Sequence, residues 1–227
     1  MQTNKKNSKT RKENVKKAND DMISVIIIDE QFDFDNPEGA LYVPGGENVK
    51  TPIINYVNNN LKKINQIIFT RDWHPKKHMS FKENGGTWPV HCVQDTPGAQ
   101  INKELYDTLI KTHIPINIVN KGTDVKKEEY GAFEHCATFH HLHPNDPPHV
   151  KNCYFANCES SSGCRIINNN IVVCGIAGDY CVMETMKNLI GHWKKFNISV
   201  LMDGIASIDG GVALNDFINS HDNIKAI

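Results

Sequence analysis

Five short apolar segments, with helical patterns between several of them, constrain this chain more than any other feature. They are SVIII (24–28), QIIFT (66–70), INIV (116–119), IVVCGI (171–176) and ISVLM (198–202), each rich in Ile and Val and bounded by polar residues. Runs of this length and composition predict buried strands. Residues 101–111 (INKELYDTLIK) and 182–193 (VMETMKNLIGHW) follow a helical spacing instead. In the second, Val182, Met183, Met186, Leu189, Ile190 and Trp193 recur every three or four positions. Strands alternating with helices predict an α/β fold, a single-domain parallel-sheet sandwich with helices on both faces. The chain's 227 residues and 39% hydrophobic content are enough for one such core.

The totals exclude several classes of partner. Net charge is −1, so no global field favours nucleic acid or an anionic membrane. No apolar run approaches the roughly 20 residues of a membrane helix. Residues 1–20 hold six Lys and one Arg against one Glu and one Asp, with almost nothing to bury. They are expected to form a disordered basic tail ahead of a folded domain spanning 21–227. KKNSKTRK (5–12) reads as a solvated stretch, with weak nuclear import or polyanion binding as the alternative. Seven cysteines, an odd number without an export signal, suit a reduced compartment. The cytoplasm is the expected location, with the nucleus as the alternative through the tail.

Chemistry gathers just past the strands. The first runs into Asp29, the second into Asp72 and His74, the third into Lys121, and the fourth, after a short turn, into Cys181. In open α/β sheets the ligand crevice lies at the carboxyl ends of the strands. Each residue also has a plain reading: Asp29 as a turn cap, Lys121 as a loop charge, Cys181 as a small buried hydrophobe. In the functional reading, Cys181 sits where AGDY (177–180) gives way to a helix, and the dipole and a nearby lysine lower its thiol pKa. An aspartate within reach could take its proton and return it to a leaving amine.

TRDWHPKKHMSF (70–81) places Asp72, His74 and His78 within seven positions. His74 precedes Pro75 and is biased away from helix, so this is not a two-histidine helical zinc site. On an extended exit from a strand, Asp72 and His74 share a face. WPVHC (88–92) offers His91 as a further donor in a proline-restrained loop. One Asp and two His would leave coordination positions open, as catalytic metals require. A polar loop with locally hydrogen-bonded histidines is the alternative.

VIIIDEQFDF (25–34), ALYVPGGENV (40–49), TRDWHPKKHMSF (70–81), WPVHCVQDTPGAQI (88–101), VNKGTD (119–124), EYGAF (129–133) and VVCGIAGDYCVMET (172–185) occur in that order. Together they resemble the nicotinamidases of the isochorismatase-like cysteine hydrolase superfamily, over roughly residues 24–205. The resemblance implies an Asp29–Lys121–Cys181 triad and a cis peptide at Ile176–Ala177. It also implies an oxyanion hole from the backbone N–H groups of Ala177 and Cys181. It implies Asp72, His74 and His91 as ligands of one divalent metal ion, zinc first, with iron and manganese as alternatives. His78 then lies behind the ligands or joins them occasionally. Phe34, Trp88 and Tyr130 match positions that line the ring pocket. The implied activity is hydrolysis of nicotinamide to nicotinic acid and ammonia through a cysteine thioester, in NAD salvage. A related hydrolase of another small amide or ureido substrate, or a non-catalytic binding relative, is the competing reading. Family members are found as monomers and as homo-oligomers, and no sequence feature decides between them.

Two departures stand out. Gly178 replaces a small side chain common in relatives, a change expected to be sterically harmless. Residues 134–170 carry four Cys and five His where many relatives have a plainer stretch. Their spacing does not match paired zinc signatures, and PNDPP (144–148) argues for loop. This His/Cys-rich insertion is expected to pack beside the site or at a subunit contact rather than to bind a second metal.

Overall fold

The computed structural model describes residues 21–133, 166–192 and 196–227. The basic tail at 1–20 and the bulk of the insertion, including Cys136, Cys153, Cys158 and Cys164, lie outside the described residues.

Six strands form one sheet: β1 (Ile23–Ile28), β2 (Ile64–Asp72), β3 (Ile116–Lys121), β4 (Asn170–Ile176), β5 (Asn197–Ala206) and β6 (Ile224–Ala226). Their order is β3-β2-β1-β4-β5-β6, and every pairing is parallel. The five expected strands are all present, the second and fifth longer than the apolar runs alone indicate. Side chains alternate across the sheet. Val25 and Ile27 enter one core with Val172 and Cys174, while Ile26 and Ile28 enter the other with Ile171 and Val173.

Helices cover both faces, as expected. On the Val25 face lie α2 (Gly46–Asn59) and α3 (Lys103–Ile110), through Val49, Ile53, Val57, Leu105 and Leu109. On the Ile26 face lie α4 (Met183–His192) and α5 (Val212–Asn219), through Met186, Leu189, Leu214 and Ile218. A single short turn, α1 (Phe32–Asp35), follows β1. The expected helix over 101–111 starts later because Asn102 caps it, its side chain accepting the Leu105 N–H at 3.0 Å. Apolar periodicity did not single out α2, which contains Pro52 and four asparagines; the stripe Val49, Ile53, Val57 holds it to the sheet. The three-residue β6 is too short to read from pattern.

The strand order reverses between β1 and β4. At that point Gly175, paired with Ile28 and at φ 114°, allows the two backbones to meet; a Cβ there would lie 2.0 Å from the Ile28 carbonyl oxygen. Among the described residues no helix is long and apolar enough to cross a membrane.

Candidate active site

The crevice opens where β1 and β4 diverge, the position at which doubly wound sheets bind ligands. Leaving β1, Asp29 takes a left-handed conformation (φ 50°) and points its carboxylate inward. Oδ1 accepts a hydrogen bond from Thr70 Oγ1 at 2.7 Å, and Oδ2 lies 2.7 Å from Lys121 Nζ. Lys121 ends β3 and is buried; its ammonium also pairs with Asp72 Oδ1 and lies 3.5 Å from Cys181 Sγ. Cys181 belongs to a π-helical turn, Gly178–Val182, between β4 and α4. The triad residues therefore meet from three strand ends.

Their electrostatics correct one expectation. Burial pushes the Cys181 thiol well above its usual range, and the Asp29 and Asp72 carboxylates add to this against the opposing Lys121. The thiol precedes α4, and its burial among carboxylates outweighs the dipole and lysine that were expected to lower it. Burial likewise raises Asp29, more than Lys121 lowers it. Burial acts to lower Lys121, but Asp29 and Asp72 hold it well above its usual value, so it is a permanent cation.

Beside the triad, Asp72 Oδ2 lies 3.4 Å from His74 Nε2 and 3.8 Å from His91 Nε2. One donor atom from each of Asp72, His74 and His91 falls within 4.8 Å of the others, all buried. His74 Nδ1 is tied to the Gly122 carbonyl at 2.9 Å and His91 Nδ1 to the Pro89 carbonyl at 2.8 Å. Those carbonyls can only accept, so they fix the proton on Nδ1 and leave Nε2 facing the cluster, as metal ligands require. Burial lowers His91 to about 4, keeping it neutral near neutral pH. This donor set fits a divalent cation with open positions.

His78 sits behind these donors. Its ring stacks on His74 at 4.1 Å, and its nitrogens engage Ser80 Oγ at 2.7 Å and the Lys127 carbonyl at 2.8 Å. Glu128, which sequence reading did not single out, offers a carboxylate close to His74 and His78. It follows no strand and matches no local chemical pattern, so nothing in the sequence marked it.

Phe34, Trp88 and Tyr130 line the adjoining pocket with Asp72, His91, Ala177 and Cys181. Trp88 Nε1 donates to Tyr130 Oη at 3.0 Å. Tyr180, which sequence reading also missed, stacks edge-on against Trp88 at 5.3 Å. The Ile176–Ala177 peptide is cis. Glycine at 178 causes no clash, as expected, whereas a Cβ there would lie 2.1 Å from Ser207 Oγ and 2.8 Å from Ile205 Cγ2.

No protein-family model matches the chain. The nicotinamidase of Saccharomyces cerevisiae is 30% identical over 188 residues, which cover 72% of this chain and 79% of that protein. The pyrazinamidase of Pyrococcus horikoshii, solved in complex with zinc, is 30% identical with a TM-score of 0.65, covering 90% of this chain and 98% of that one. The yeast nicotinamidase bound to the inhibitor nicotinaldehyde is 26% identical with a TM-score of 0.68, covering 91% and 99%. The crevice geometry and these similarities agree, and the chain belongs to the nicotinamidases of the isochorismatase-like group.

Proposed function

We propose that this nicotinamidase hydrolyses nicotinamide through a thioester on Cys181, with the substrate ring held beside a divalent metal ion. One observation carries the reading: Lys121 touches Asp29, Cys181 and Asp72 together, so the reacting thiol, its base and a metal donor share one buried cation. Asp72, His74 and His91 would hold the metal, zinc first, and the metal supplies an anchor for the pyridine nitrogen, directly or through water. Phe34, Trp88 and Tyr130 give the flat ring apolar walls. Such orientation can lower a barrier by about 7–11 kcal/mol.

Asp29 removes the Cys181 proton, and the sulfur attacks the carboxamide carbon. The N–H groups of Ala177 and Cys181 receive the developing oxyanion; one such donor typically contributes about 10²–10³ in rate. Asp29 passes its proton to the departing nitrogen, and ammonia leaves. Asp29 then takes a proton from water as it attacks the thioester. Collapse releases nicotinic acid and returns the proton to sulfur. Burial raises Asp29 as well as Cys181, which makes the Asp29 carboxylate a stronger base for the thiol proton than an unperturbed aspartate would be. Lys121 stabilises whichever of the two is charged. The product would enter NAD salvage.

Ammonia release from nicotinamide tests this, with and without chelation and zinc add-back. Release that requires both zinc and Cys181 is expected, and Cys181→Ala should bind zinc yet turn nothing over. Turnover by Cys181→Ala would refute the nucleophile. Undiminished turnover after verified metal removal would refute the metal's part. Nicotinamide binding without ammonia from the intact protein would indicate a non-catalytic relative.

A further inference from the structure

Two side chains just past the base make contacts that the chemistry above does not use. β1 stops at Ile28, and the left-handed turn at Asp29 carries the chain away from β2. β2 runs on to Asp72, whose neighbour Trp73 bonds the other way, to the Lys121 carbonyl. The backbone N–H and C=O of Asp72 thus face the side β1 has vacated. Gln31 fills it. Its Oε1 accepts the Asp72 N–H at 2.7 Å, and its Nε2 donates to the Asp72 carbonyl at 2.8 Å and the Ala99 carbonyl at 2.9 Å. The Gln31 side chain replaces one residue of missing strand. It is wholly buried, and both amide N–H bonds are used.

Asp33 does the equivalent for the second loop. Its Oδ2 accepts the Cys92 N–H at 2.7 Å, and its Oδ1 accepts the Ala40 N–H at 3.1 Å. Cys92 directly follows His91 and is left-handed (φ 44°), a conformation that an unbranched non-glycine residue adopts only when held. Gly98 leaves room for the carboxylate: a Cβ at that position would lie 2.2 Å from Asp33 Oδ2.

We infer that Gln31 and Asp33 are positioning residues that set the two metal-donor segments, Asp72 through Gln31 and His91 through Asp33, against the catalytic base Asp29. One five-residue stretch, Asp29 to Asp33, then carries the base of the thiol chemistry and the braces of the metal site. This rests on the metal reading above. Removing an outer partner of a metal ligand typically weakens binding by about 10–100-fold.

The test uses the full-length protein stripped of metal, with Gln31→Glu, Asp33→Asn and, as control, Asp35→Asn. Gln31→Glu removes the donors to Asp72 and Ala99, and Asp33→Asn removes one acceptor at nearly constant volume. Asp35 lies on the same turn but accepts from Asn102 Nδ2, which belongs to neither metal-binding segment. Two quantities are read: zinc affinity by chelator competition, and amide exchange of Asp72 and Cys92 in the metal-free protein. Both site variants should bind zinc about 10–100-fold more weakly. Gln31→Glu should expose the Asp72 amide and Asp33→Asn the Cys92 amide, while Asp35→Asn changes neither quantity. Turnover in the two site variants should return at saturating zinc. Wild-type zinc affinity in variants whose amides have lost protection would overturn the inference and leave the metal reading standing. A wild type that binds no zinc would overturn both, whatever the exchange shows.

Discussion

At the residue scale the site turns on Lys121. A buried ammonium with one carboxylate would be a simple ion pair, but Lys121 serves Asp29 and Asp72 and also reaches the thiol. Removing its charge leaves two buried carboxylates facing each other without compensation. Breaking such a buried network typically costs about 3–5 kcal/mol. The Asp29 carboxyl, already raised, would rise further and hold a proton that the proposed mechanism needs it to accept. Lys121→Met should therefore lose stability by about that amount in urea unfolding and lose about 10²–10³-fold in kcat. A folded Lys121→Met protein with kcat within a few-fold of wild type would show that the ammonium only balances charge.

At the scale of elements, the site is a set of strand ends, and that explains what the sequence disclosed. Asp29, Asp72, His74, Lys121 and Cys181 were legible because buried strands announce themselves as Ile and Val runs, and polar groups just past them are conspicuous. The seven motifs added His91 and the pocket-lining Phe34, Trp88 and Tyr130. Glu128 and Tyr180 were not legible, since neither follows a strand, and their place depends on how distant loops fold back. The direction of the Cys181 shift was misjudged for a similar reason. A helix start is visible locally, whereas the Asp29 and Asp72 carboxylates that crowd the thiol arrive from 152 and 109 positions away in the chain (181 − 29 and 181 − 72). α2 was hidden by its own composition, being held by tertiary contact more than by propensity.

The loop after β3 yields a prediction at this scale. Gly122 is left-handed (φ 61°), and its carbonyl holds His74. A Cβ there would lie 2.4 Å from His74 Cε1. Gly122→Ala must move either the imidazole or the loop, at about 1–2 kcal/mol for the backbone alone. Zinc affinity should fall by about 10-fold or more. An unchanged affinity by chelator competition would mean that His74 is not held through this carbonyl.

At the scale of the whole molecule, the buried acids shape stability against pH. Glu30 lies beside Asp29, fully buried, and neither carboxyl oxygen has a hydrogen-bond partner among the described residues. Burial and then Asp35 raise its pKa well above the ordinary 4.5, against a weaker pull from Lys50. The folded protein therefore keeps a proton that the unfolded chain releases above about pH 4.5. With more protons bound in the folded state, stability must fall as pH rises from there to the folded pKa. Asp29 acts with the same sign. Cys92 and Cys174, whose thiols burial pushes well above 9.0, extend the loss into alkali. Glu30→Gln removes one of these protons without removing the side chain. Its stability profile should lose one proton's slope, about 1.4 kcal/mol per pH unit, in the window that opens above pH 4.5, and the variant should overtake wild type as pH rises. Urea unfolding at pH 5, 6, 7 and 8 measures both slopes. Parallel profiles would mean that Glu30 is ionised in the folded protein, which its burial without a hydrogen-bonding partner forbids in this fold.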